Sequence, residues 1–232
     1  MVSKILLTIR SRVFSYFNKL IVLVCYTLIM TTTKFLYFLL GGYSLLFTLL
    51  AFNPIDRATW FSENLTVWII LVIILGLYAK GVRVSKTAYG LMFVLIYLHT
   101  IGGHYTFALV PFDYVTNFFD FGRNHFDRVA HFSVGFYAFA VAEFLYLRQL
   151  VSSKFLLWTY PIFFIATVAA SYEIIEWIYA ANAAPEAGLA YLGSQGDIWD
   201  AQKDMLADIL GAITATILFF FLRKPQIKSD SD

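Results

Sequence analysis

The residues of this chain that could do chemistry are concentrated in three short segments rich in aspartate, glutamate and histidine. In the segment 193–208, Asp200, Asp204 and Asp208 recur at every fourth position, which on a helix places them on one face. The sequence turns apolar directly afterwards, over 209–222, so the acidic face leads into a membrane helix. Because a carboxylate facing hydrocarbon costs several kcal/mol, these side chains need partners or water inside a bundle.

The other two segments have pairs spaced to share a helix face. Asp127 and His131 are four residues apart, so the carboxylate can orient the imidazole or both can bind one ion. Glu173 and Glu176 are three apart, and two such carboxylates do not both ionise cheaply without a cation between them. The candidate metal ligands are His104, His131, Glu173, Glu176, Asp200, Asp204 and Asp208.

These residue types predict a divalent metal ion whose identity stays open. Carboxylate oxygens suit Mg²⁺, Mn²⁺ or Ca²⁺, and an added histidine favours Zn²⁺, Mn²⁺ or Fe²⁺. Such an ion lowers the pKa of a bound water or polarises a phosphoryl oxygen, and an arginine can hold a phosphate. The candidate catalytic residues are Asp127, His131, Arg123 and Arg128.

Each feature also has a structural interpretation. The three aspartates could form a solvated first turn with one ion pair to Arg123 or Lys203, the glutamates could hydrogen-bond between helices, and the histidines could lie at the interface with satisfied nitrogens. A structural network gives no reason for five carboxylates and two histidines to gather, so the set as a whole favours a functional site. Near the opposite end, Glu143 and Arg148 are interpreted as an ion pair or as snorkelling side chains.

The composition is that of a membrane protein. The chain has 232 residues, of which 60% are hydrophobic and 14% charged, and its mean hydropathy is +0.72, whereas soluble domains carry about 25% charged residues. A net charge of +2 without a basic run argues against nucleic acid as a partner. Cys25 is the single cysteine, so no intrachain disulfide can form.

The apolar stretches predict an all-α, polytopic membrane helix bundle of about six spans. They lie near 35–52, 65–79, 88–104, 129–147, 155–180 and 205–222. Lysine and arginine are concentrated in alternate loops, which predicts that both termini are cytoplasmic. With this orientation the candidate site residues of four spans lie near the outer end of the bundle, within reach of the outer leaflet.

The predicted organisation has three parts: a basic amphipathic segment over 1–34, the membrane domain over 35–222 and a short cytoplasmic tail over 223–232. Two further interpretations of the first part stay open. Residues 1–33 have the charged start and apolar middle of a signal peptide but no typical cleavage site. Alternatively, translation starts at Met30 and the preceding residues are an extension.

Four segments resemble a known family. They are NPIDRATW (53–60), RNHFDRVAHF (123–132), YEIIEW (172–177) and GSQGDIWDAQKDM (193–205). Over about 35–222 the chain resembles the bacterial YjdF-type inner-membrane family. The resemblance implies a small multi-pass protein of the bacterial inner membrane and does not name an activity.

Three hypotheses of function remain. The first is a metal-dependent enzyme that acts on a lipid or a phosphorylated substrate at the outer leaflet. The second is a structural or partner-binding protein with a buried polar network, and the third is an ion- or proton-coupled transporter. The transporter ranks last because the acidic groups are all in the outer half, whereas alternating access usually needs a site near the midplane.

The predicted orientation can be tested by cysteine labelling. In a Cys25→Ser background, Asp120→Cys should react with a membrane-impermeant maleimide added outside intact cells, because it lies in an outer loop of the predicted topology. Arg148→Cys, in an inner loop, should react only after the cells are lysed. Labelling of Asp120→Cys only after lysis would reverse the topology.

Overall fold

The computed structural model describes residues 29–182 and 194–226, and in these ranges all regular secondary structure is helical. This confirms the prediction of an all-α fold. The helices are α1 (Thr32–Leu50), α2 (Arg57–Ala79), α3 (Lys86–Tyr105), α4 (Asp113–Phe118), α5 (Phe126–Val134), α6 (Tyr137–Leu147), α7 (Lys154–Asn182) and α8 (Asp200–Arg223), with a 3-10 turn at Ser194–Gly196. The interpretations of the N-terminal segment fall on residues outside the described ranges, except for its last six positions.

The chain divides into two compact units. The first unit is Met1–Gly41, whose described residues include the beginning of α1, and the second is Gly42–Asp232. All the candidate site residues belong to the second unit.

Six crossings of the membrane fit the described helices. Five segments are long and apolar enough to span a bilayer: α1, α2, α5 together with α6, α7 and α8. Helix α3 is long enough at 20 residues but less apolar, and nine of its residues are buried inside the protein. Its length is that of a membrane span, so a bundle of about six spans fits the described helices.

Helix α2 begins eight residues before the predicted start of its span. The reason is the N-cap residue Asp56, whose carboxylate accepts a hydrogen bond from the backbone N–H of Thr59 at 2.6 Å. The same bond holds the pKa of Asp56 below its ordinary value. The early start places Glu63 inside the helix, where it is buried, rather than in the loop that the sequence indicated.

A close crossing of α5 and α8 positions the acidic residues. A Cβ atom on Gly211 would overlap the carbonyl oxygen of Phe132, and a Cβ on Gly135 would overlap the backbone of Ala212. The two backbones are therefore in direct contact, as small residues allow in membrane helices. At the crossing, Phe136 N–H donates to Ser133 O at 3.1 Å, an i+3 bond that tightens the turn between α5 and α6.

The apolar core lies away from the acidic segments. It is built from buried residues of α3, α6, α7 and α8, among them Ala88, Phe139, Ala142, Leu157, Ile165, Ala215 and Phe219. On each of these helices the core residues lie toward the end opposite the candidate site. The bundle thus has an apolar half and a polar half.

One ion pair differs from the sequence interpretation. Glu143 is fully buried, and its carboxylate accepts hydrogen bonds from Ser85 N–H, at 2.6 Å, and from Arg223. Arg148 is exposed and is not the partner. The sequence favoured Arg148 because it is near in the chain, whereas the return of α8 brings the more distant Arg223 to this carboxylate.

The glycine crossing gives a stability prediction. Gly211→Ala should lower the free energy of unfolding by roughly 1–3 kcal/mol, because the added methyl group must push α5 away from α8. Thermal unfolding in detergent measures the change. The matched control is Gly76→Ala in α2, where a Cβ meets no atom within 4 Å. Equal stability of the two variants would contradict the close contact.

Candidate functional site

The centre of the site is the imidazole of His131 on α5. Its Nε2 atom lies 3.7 Å from Asp127 Oδ1 and 3.6 Å from Asp204 Oδ1. One ligand atom from each of these three residues lies within 4.8 Å of the other two. Asp127 is one turn before His131 on the same helix, and Asp204 is contributed by α8 across the glycine crossing. The structure thus brings together three of the predicted site residues.

Asp208 lies on the other side of the same imidazole. His131 Nδ1 is 3.3 Å from Asp208 Oδ1 and 3.4 Å from Oδ2, and Asp208 is almost fully buried. A carboxylate at this place favours a proton on Nδ1, and in the neutral imidazole the lone pair is then on Nε2. Asp208 therefore orients the imidazole from the Nδ1 side, whereas Asp127 and Asp204 lie on the Nε2 side.

The two arginines are held by aspartates. Arg128 donates one hydrogen bond to Asp204 and another to Asp200, which is one turn away on α8. Arg123 Nη1 lies 3.1 Å from Asp200 Oδ1 and 3.2 Å from Asp197 Oδ2. Buried carboxylates need such partners, so the guanidinium groups neutralise part of the acidic face.

Asp197 completes the charge network at the start of α8. Lys203 Nζ donates to Asp197 Oδ2 at 2.7 Å, and this bond holds the pKa of Asp197 below its ordinary value. The network as described contains five aspartates, at 127, 197, 200, 204 and 208, and three permanent cations, at 123, 128 and 203. Over the described part of the chain, the network thus has two more carboxylates than arginine and lysine side chains, and His131 contacts three of these carboxylates.

A side-chain clasp joins the two loops that lead into α5 and α8. Asn124 N–H donates to Gln195 Oε1 at 3.0 Å, and Gln195 Nε2 donates to Asn124 O at 2.9 Å. The amide of Asn124 also donates to Val110 O at 2.8 Å. This clasp ties the loop before α5 to the loop before α8, and the sequence analysis assigned no role to Asn124 or Gln195.

The site opens into a cavity of about 900 Å³. Its polar lining includes Glu63, His99, Asp127, His131, Glu173, Glu176, Asp200, Asp204 and Asp208. Glu173 is nine-tenths buried. Its Oε1 atom has no hydrogen-bond partner among the described residues. The predicted glutamate pair therefore faces the same space as the aspartate–histidine group.

Comparison with known proteins identifies the family. The sequence matches, over residues 35–225, the model of a family described as "Predicted membrane protein (DUF2238)". The chain belongs to this family. It is also 34% identical over 168 residues to "Inner membrane protein YjdF" of Escherichia coli strain K12, an alignment covering 70% of this chain and 78% of that protein. No solved structure matches.

These matches confirm the resemblance that the four motifs indicated. With the five candidate spans, they make this family member an integral, multi-pass protein of the bacterial inner membrane. Two of the motif segments, 123–132 and 193–205, contain Asp127, His131, Asp200 and Asp204. The residues that carry the resemblance are thus also those that meet at the site.

The structure places the histidines differently from the sequence interpretation. His104 is not among the cavity-lining residues, and its Nδ1 lies 2.7 Å from the carbonyl oxygen of Leu50. His99 lines the cavity instead, with Nε2 2.9 Å from Glu63 Oε2, a close contact that is not an aligned hydrogen bond. Recognition of Asp56 as an N-cap in the sequence would have placed Glu63 on a helix, and the contact between Glu63 and His99 could then have been predicted.

Removal of Arg128 should destabilise the protein. Arg128→Ala leaves the carboxylates of Asp200 and Asp204 short of a counter-ion, which costs about 3–5 kcal/mol for a buried pair. Thermal unfolding in detergent measures the loss, and Arg128→Ala/Asp200→Asn should recover part of it because one carboxylate charge is removed. The control Arg148→Ala, at an exposed arginine, should stay within about 0.5 kcal/mol of wild type. A neutral Arg128→Ala would contradict the assigned ion pairs.

Proposed function

We propose that Asp127, His131 and Asp204 hold a divalent metal ion, and that the protein is a metal-dependent enzyme acting on a lipid or phosphorylated substrate at the outer leaflet. The observation that carries this proposal is the position of His131 Nε2, which faces oxygens of two carboxylates at 3.6 and 3.7 Å. The position at the outer leaflet follows from the predicted orientation.

These distances suit an ion better than a proton. An N–H···O bond is about 2.7–3.2 Å long; the Nδ1 contact with Asp208, at 3.3 Å, is close to that range, whereas the two Nε2 separations lie further beyond it. In the neutral tautomer with its proton on Nδ1, His131 directs an Nε2 lone pair toward Asp127 Oδ1 and Asp204 Oδ1, and the latter oxygen also accepts a hydrogen bond from Arg128. Ligand atoms about 2 Å from a metal ion lie roughly 3–3.5 Å apart, so a small closing movement of the side chains would complete the coordination.

Charge and burial support the same proposal. The aspartates of the network outnumber its arginines and lysine by two, and Glu63, Glu173 and Glu176 line the same cavity, so a divalent cation would reduce an excess of negative charge there. Glu173 Oε1, buried in the cavity wall without a hydrogen-bond partner among the described residues, is available as a further ligand or as a proton acceptor. An unpaired buried carboxylate oxygen is costly, and either part would offset that cost.

The chain's residues divide the work of a hydrolytic reaction. Two carboxylates and one imidazole suit Mn²⁺, Zn²⁺ or Fe²⁺, and the bound ion would activate a water or polarise a phosphoryl oxygen. Asp208 keeps His131 in the ligating tautomer, and Glu173 or Glu176 accepts a proton from the attacking water. We assign Arg123 and Arg128 to positioning Asp200 and Asp204, since their guanidinium groups are directed at these aspartates rather than into the cavity.

A structural network is the second candidate. The bridge from Arg128 to Asp200 and Asp204 favours it, because this arrangement stabilises the helix ends without any ion. Transport has less support, because the ionisable residues of the cavity lie toward one end of the bundle and alternating access needs a site near the midplane.

Metal analysis separates the candidates. Detergent-purified protein incubated with Mn²⁺ and desalted should retain one equivalent by elemental analysis, with an electron paramagnetic resonance signal of protein-bound Mn²⁺. His131→Ala and Asp204→Asn should lose it, because each removes a ligand. The matched controls His104→Ala and Asp120→Asn should keep it, since neither residue lines the cavity.

Activity is then measured in vesicles of phosphatidic acid and phosphatidylcholine, as release of inorganic phosphate. We expect turnover that depends on Mn²⁺ and falls at least about a hundredfold in His131→Ala, in line with the loss of a group that acts on the reacting atoms. A wild-type protein that retains no Mn²⁺, Zn²⁺ or Fe²⁺ while both ligand variants stay folded and bind equally little would overturn the metal-dependent enzyme and favour the structural network.

A further inference from the structure

The cavity extends beyond the polar groups into the apolar part of the bundle. On each lining helix an apolar residue follows the polar one toward the interior: Ile70 beyond Glu63, Leu95 beyond His99, Val134 beyond His131 and Ala169 beyond Glu173. At 1.5 Å per residue these offsets are about 4–11 Å along the helix axes. Helices α2 and α5 enter from the polar end whereas α3 and α7 leave toward it, so the four offsets point the same way.

The opposite end of the cavity has an apolar rim. Trp177 and Ile198 line the cavity but are 57% and 83% exposed. Tryptophan is typical of the interface between headgroups and hydrocarbon. A compound that enters past these two side chains therefore comes from the level of the lipid headgroups.

From its opening to its interior end, the cavity therefore has an apolar rim, a band of carboxylates and histidines, and an apolar base. We propose that the occupant of this cavity is an amphiphile, with an anionic headgroup at the metal centre and one alkyl chain in the base formed by Ile70, Leu95, Val134 and Ala169. This inference rests on the proposed function, because an anionic headgroup needs a cation among so many carboxylates. The volume of about 900 Å³ is within the range of sites that enclose small molecules.

Burial of the alkyl chain in the apolar base predicts how affinity depends on the length of that chain. Burial of each methylene group is worth about 0.8 kcal/mol, which corresponds to roughly a fourfold gain in affinity. Affinity should therefore rise in steps along a homologous series and level off once the base is filled. A site that recognises the headgroup alone would bind every member equally.

The probes are inorganic phosphate and the hexyl, octyl and decyl monophosphates, titrated into the full chain in nanodiscs loaded with Mn²⁺. Binding is read from the paramagnetic resonance signal of Mn²⁺ and from calorimetry. Wild type should bind octyl phosphate at least about tenfold more tightly than hexyl phosphate, as two buried methylenes predict. Without Mn²⁺ the series should bind weakly, because the carboxylates then repel the headgroup.

Two substitutions test the base. Ile70→Trp fills it with a larger side chain and should remove the dependence on chain length while Mn²⁺ and inorganic phosphate bind as in wild type. The matched control is Ile69→Trp, one position along α2, where the side chain is 53% exposed and faces out of the bundle. Val134→Phe is a second variant of the apolar base, for use if Ile70→Trp unfolds. Only variants that melt within a few degrees of wild type are compared.

The outcomes separate this inference from the proposed function. Bound Mn²⁺ with equal affinity for all four phosphates overturns the amphiphile and leaves the metal centre. A dependence on chain length that survives both Ile70→Trp and Val134→Phe also overturns it, since the chain then binds elsewhere. Failure of wild type to bind Mn²⁺, Zn²⁺ or Fe²⁺ overturns the proposed function, and the amphiphile with it.

Discussion

The arrangement of this protein depends on the cost of placing carboxylates among apolar helices. A lone buried carboxylate is too costly to keep, so each aspartate of α8 must find a partner on a neighbouring helix. The direct backbone contact between Gly135 and Gly211 makes this possible, because it brings the polar end of α5 within side-chain reach of α8. Larger residues at these positions would separate the two helices and leave the aspartates unpaired.

The three aspartates of α8 have different partners, which change from arginine to histidine along the helix. Asp200 accepts hydrogen bonds from two arginines, whereas Asp208 contacts His131. Asp204 lies between them and contacts both Arg128 and the Nε2 side of His131. One helical face thus passes, over two turns, from aspartates bound by arginines to aspartates that contact the two nitrogens of His131.

Much of the fold could be predicted from the sequence because the bilayer restricts the choice. Helices are the structure that satisfies its backbone within each apolar segment, so the spans near 35–52 and 155–180 lie close to α1 and α7. Predicted boundaries failed where a polar helix start precedes the apolar run, as at α2, since hydropathy cannot detect the cap at Asp56. Because the predicted span began after Glu63, the sequence analysis missed this residue in the cavity wall and its contact with His99.

The sequence alone determined which residues share a helix face. The four-residue spacing of Asp200, Asp204 and Asp208, and of Asp127 and His131, follows from the helical repeat and needs no other information. Only the tertiary structure decided which faces meet: His131 rather than His104, Arg223 rather than Arg148, and arginines committed to aspartates rather than to the cavity. The physical reason is that periodicity is a local property of the backbone, whereas the crossing of two helices depends on side-chain volume at distant positions such as Gly135 and Gly211.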